Sequence, residues 1–173
     1  MTTHFPAVLF HAEYTPHVVP STRGETITQL HNRVATALAA IIADVDAEIE
    51  AFEATSGRRD DKAVLICAHA APLIAMGRVL TGQMPADVNV EDFHVYTAGL
   101  STFLRRRHSP PPTSADEAEE VDDDALLAPG TRLVPPDQVF VPDWIDGKGV
   151  GGGWDCVANG DCSFLSGGAE RGW

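Results

Sequence analysis

One run of residues, Ala63-Val64-Leu65-Ile66-Cys67-Ala68, constrains this chain more than any other stretch. It is apolar throughout, with the charged Arg58 to Lys62 on one side and His69 on the other. A strand with one wet face alternates polar and apolar residues, whereas an unbroken apolar strand is covered on both faces, as in a parallel sheet. The run therefore predicts a buried strand. Such a strand needs neighbours for its backbone groups and a layer over each face.

The flanks agree with that reading. Upstream, Thr26 with Gln29 three residues later is a capping-box pattern. Leu30, Val34, Leu38, Ile41, Val45, Ile49 and Phe52 then recur at steps of three or four, one apolar stripe on a long helix that should stop near Gly57. Downstream, Leu73, Ile74, Met76, Val79 and Leu80 return to helical spacing and close at Gly82. Helix, buried strand and helix make an α/β unit around a parallel sheet. Further strand-like stretches lie at Val95-Tyr96 and at Ser101 to Leu104.

Composition changes after Arg105-Arg106-Arg107, where Ser-Pro-Pro-Pro-Thr-Ser leads into Asp116 to Asp124, a run with seven acids and no base. Too polar to bury, residues 107–137 read as a flexible linker between a domain over 1–106 and a tail over 138–173. The tail carries a glycine-rich stretch, Gly147 to Gly153, and Trp144, Trp154 and Trp173, a large apolar payload expected to dock on the domain. The first 20 residues are irregular, with one short apolar run, Ala7 to Phe10.

Several function classes are disfavoured. A formal net charge of −13 argues against direct nucleic-acid binding through a basic patch. No window is long and apolar enough for a membrane span, and the N-terminus lacks the pattern of a secretory signal. Cys67, Cys156 and Cys162, an odd and sparse set, suit a reducing intracellular compartment better than a disulfide scaffold or a zinc site. No metal or other cofactor is expected.

The chemistry-bearing candidate is His69. In open α/β sheets ligands sit outside the carboxyl ends of strands, and the first free N–H groups of a following helix can meet an anion. The same pattern also suits a hydrogen-bonded structural histidine. Val64 to Pro72, reading VLICAHAAP, resembles the second-histidine motif of the histidine-phosphatase (phosphoglycerate-mutase-like) superfamily. Arg23-Gly24-Glu25-Thr26 before a long helix resembles the element that precedes it, so the likeness spans roughly residues 13–106. The tail, WDCVANGDCSFLSGGAERGW, resembles a segment that follows the phosphatase-like domain in a fungal subunit of RNA polymerase III transcription factor IIIC.

The resemblance implies the C-terminal half of a three-layer α/β/α domain acting on phosphomonoesters. It makes His69 the second histidine, gives the Ala70 N–H to the phosphate, and offers Arg23 and Glu25 as further phosphate-site residues. Glu25 equally suits a negative charge at a helix start. The expected ligand is a phosphorylated substrate or phosphate ion. The family's nucleophile belongs to an Arg-His-Gly motif that this sequence lacks, and the Gly-Glu-Trp-like segment carrying the acid is missing too. Two functions stay open: an incomplete phosphatase, or a non-catalytic assembly module among transcription factor IIIC subunits, nuclear in that case and otherwise cytoplasmic. His11, His17 and Arg78 read as surface groups, His31 and His94 lack an evident partner, and Tyr96, Thr97 and Gly99 are rim or packing residues.

Overall fold

In the computed structural model, residues 17–59, 61–106 and 141–171 are described. The apolar run 7–10, His11, the linker expected at 107–137 and Trp173 lie outside them.

Helix α1 spans Ile27–Ser56. Its start is the capping box read from the sequence: Gln29 N–H donates to the Thr26 hydroxyl and the Gln29 side chain accepts from the Thr26 N–H. It stops at Gly57, which takes the left-handed conformation (φ 66°) and donates its N–H to Glu53. Helix α2 spans Ala70–Thr81 and ends the same way at Gly82. Strand β1, Leu100–Arg105, pairs antiparallel with β2, Trp154–Asp161. The described residues form a small mixed α/β domain with two helices and a two-stranded sheet.

The core joins all three regions. Val34, Ala35 and Leu38 of α1 meet Ala75 and Val79 of α2, and Trp144 and Val150 of the C-terminal segment close over them. Burying a large apolar side chain is worth about 1.5–3 kcal/mol, so this cluster is the main reason the segment stays on the helices. The apolar stripe of α1 is covered only along its first half, and Phe52 remains 36% exposed.

The expected strand at 63–68 is a correction. No strand forms there: Val64 is 54% exposed and Leu65 78%. A buried strand exists only where neighbours take its N–H and C=O groups. Among the described residues none pairs with it, and the sheet is the separate β1–β2 pair. Val95-Tyr96 is not a strand either; the segment turns there, with Gly99 N–H donating to Tyr96 O.

Arg78 also differs from its surface assignment. It is 3% exposed, and its guanidinium holds the Asp92 carboxylate (Nε to Oδ2 2.8 Å) and the carbonyls of Val88 and Val90. The loop after α2 is therefore folded around one helical arginine. Gly77 makes room for that loop, since a Cβ there would sit 2.5 Å from the Phe93 ring.

Removing one partner of a buried charge pair leaves the other uncompensated, typically costing about 3–5 kcal/mol. Arg78→Ala is expected to lower unfolding stability by about that amount. Arg78→Lys should recover little, because an ammonium cannot grip a carboxylate and two carbonyls in one plane. The urea midpoint of each variant checks this, and a loss below about 1 kcal/mol in Arg78→Ala would contradict it.

Candidate functional site

His69 is the N-cap of α2, with extended backbone (φ −83°, ψ 169°), and its side chain makes no capping bond. Its carbonyl accepts the first helical bond, from Leu73 N–H at 3.1 Å, and its imidazole is exposed. The three positions after it are Ala70, Ala71 and Pro72. A helix start leaves its first N–H groups without intrahelical partners. Proline has no N–H and fixes φ for the first turn, so the free donors here are those of Ala70 and Ala71. Small side chains leave these donors unobstructed at the positive end of the helix dipole.

Arg23 and Glu25 sit at the other helix start. Arg23 is exposed, and its backbone N–H donates to Ser21 Oγ. Glu25 is committed: Arg33 grips both of its oxygens, Nε to Oε1 at 2.5 Å and Nη2 to Oε2 at 2.8 Å, with both side chains mostly shielded. Such bidentate pairs are strong and geometrically exacting. Arg33 was not singled out from the sequence. Its signal was its place two turns into α1, on the face that an acid before the N-cap can reach. Among the described residues no hydrogen bond or ion pair joins His69 to Arg23 or Glu25.

The other histidines among the described residues have structural partners. His17 Nε2 meets Asp44 at 2.7 Å. His31 is buried, donates from Nδ1 to Ile27 O, and stacks on Trp144 with ring centroids 6.1 Å apart. His94 stacks on Tyr96, and its backbone N–H donates to Asn159. Thr97 N–H donates to Glu170 O. Tyr96, Thr97 and Gly99 thus serve a turn and a tail contact.

Two shallow depressions open on the surface. One is lined by Gly82, Met84 and Ile145, the other by Phe93, Arg106 and Trp154, and neither includes His69. Among the described residues, no group of three His, Cys, Asp or Glu side chains could hold a metal ion. No helix among them is long and apolar enough to cross a membrane. Groups with displaced pKa values lie in the C-terminal segment. Burial pushes the Cys156 thiol up, and the Ser163 N–H holds the Asp161 carboxyl below its usual range.

No family model matches this chain, no curated protein matches it, and no solved structure matches it.

The cysteines offer a direct check of this surface. Cys67 is exposed beside His69, whereas Cys162 is buried and Cys156 has a raised pKa that starves it of thiolate. Iodoacetamide at neutral pH should alkylate Cys67 first and reach Cys162 only in urea. Equal rates at all three, read by peptide mass spectrometry, would contradict the placement of the 63–69 segment at the surface.

Proposed function

We propose that this chain carries part of a histidine-phosphatase-type (phosphoglycerate-mutase-like) domain, three-layered in its parent fold, and that the start of α2 is its phosphate-facing element. The observation that carries the reading is the exposed His69 imidazole at the N-cap of α2, followed by the open amides of Ala70 and Ala71. A phosphate oxygen placed there meets two backbone donors, the helix dipole and a ring N–H. Arg23, exposed and cationic before the start of α1, is the further phosphate-site residue of this reading.

Phosphoryl transfer through phosphohistidine needs a second, attacking imidazole and an acid to protonate the leaving oxygen. The sequence holds neither an Arg-His-Gly nor a Gly-Glu-Trp motif. We therefore assign the chain phosphate recognition without turnover, inside the cell. Inorganic phosphate titrated into the isotope-labelled chain should shift the amide resonances of Ala70 and Ala71. His69→Ala should weaken that binding about tenfold, the loss of one hydrogen bond to a charged group worth about 1.5 kcal/mol. The wild-type chain and His69→Ala should both leave p-nitrophenyl phosphate intact. Phosphate shifts confined to other residues would remove the site, and hydrolysis abolished by His69→Ala would overturn the absence of turnover.

A second reading, a non-catalytic module assembling with transcription factor IIIC subunits, is favoured by a different observation, the exposure of Val64 and Leu65. Contiguous apolar surface of this kind marks interaction sites. Leu65→Asp should abolish capture of those subunits from nuclear extract without moving the thermal midpoint. A folded wild-type bait that captures none of them would remove this reading.

A further inference from the structure

Asn159-Gly160 is the only Asn-Gly pair in the chain. Glycine lacks a Cβ, so its backbone nitrogen is the least hindered nucleophile that can follow an asparagine. In an open chain that nitrogen attacks the Asn side-chain carbonyl carbon and expels ammonia. Here the attacking nitrogen and both polar atoms of the side-chain amide are held in hydrogen bonds. Gly160 N–H donates to Ser101 Oγ at 2.9 Å. Asn159 Oδ1 accepts from His94 N–H at 2.9 Å, and Nδ2 donates to Asp92 O at 3.0 Å. The side chain thus clamps residues 92–94 to β2, standing in for a strand partner. Gly160 itself lies at an irregularity of the β1–β2 register with φ 67°, and a Cβ there would come 2.6 Å from His94 O.

We propose that Asn159 is a conformationally gated deamidation site, closed while the 92–94 segment is clamped and opened when that segment lifts. The Gly160 N–Cγ bond forms as the Cγ–Nδ2 bond breaks, and the Gly160 proton leaves with the amide as ammonia. Water then opens the cyclic imide at either carbonyl, giving aspartate or isoaspartate. The change locks the segment open. A carboxylate has no N–H for Asp92 O, and it adds negative charge beside Asp92. Opening events are thereby recorded as permanent chemistry.

The test incubates the full chain at mildly alkaline pH, in native buffer and in urea. Peptide mass spectrometry then follows replacement of the Asn159 amide by a carboxylate. Conversion should be roughly tenfold slower or more in native buffer, the ratio reflecting how rarely the clamp opens. Ser101→Ala should raise the native rate while keeping the urea midpoint close to that of the wild type. Asn159→Gln, which cannot close the five-membered ring, should hold its mass at that position under both conditions. Equal native and urea rates would overturn the proposal, as would a folded Ser101→Ala variant that converts no faster than wild type.

Discussion

The Arg106 guanidinium ties together the end of α2, the glycine-rich stretch and the start of β2. Its Nη2 donates to Thr81 O at the end of α2 and to Trp154 O at the start of β2. Its Nη1 reaches Gly147 O in the glycine-rich stretch, and its Nε meets Asp155. Carbonyls at helix and strand ends are the acceptors that regular structure cannot satisfy internally. A planar cation with a fixed fork of donors answers several at once, each bond to the charge worth about 1.5–3 kcal/mol. Arg105 extends the arrangement to α1, gripping Asp46 and Gly151 O while lying over the Trp154 ring.

That clasp explains why the C-terminal segment can be glycine-rich and still be ordered. Gly149 N–H donates to Trp144 O and Gly147 N–H to Gly82 O, and a Cβ at Gly82 would sit 2.5 Å from the Gly147 backbone. Backbone packs directly on backbone, an approach that side chains would prevent. Trp144 supplies the apolar area that the short stretch lacks. The segment covers one end of the helix pair, and the far half of α1 and the 63–68 run receive no such cover.

The helices were legible because their signals are local. A capping box, a three-four spacing and a terminal glycine all act within one helical turn, so α1 and α2 begin and end where the residues say. Strand 63–68 failed for the opposite reason. An apolar run states what a strand would need, and the partners lie elsewhere in sequence or not at all. β2 went unread because its inward residues, Trp154, Cys156, Ala158 and Gly160, shrink along the strand, leaving little hydrophobic alternation. Arg78 and Arg106 look like ordinary surface charges by type; only the carbonyls they meet, ten to forty-eight positions away, distinguish them.

The site divides along the same line. His69 at a helix start could be read from sequence, because a cap residue and the helix it opens are neighbours in the chain. Whether Arg23 and Glu25 join it is a matter of two helix starts meeting, and Arg33 has already taken Glu25. A helix N-terminus binds an anion whichever partner surrounds it, since its donors are main-chain groups held by α2 alone. Attack on phosphorus depends on a second imidazole facing the first across the bound group. Anion recognition at a helix start is thus a local property, whereas turnover is a long-range one. The exposed 63–68 run leads straight into His69, so the surface beside this helix start is apolar and open.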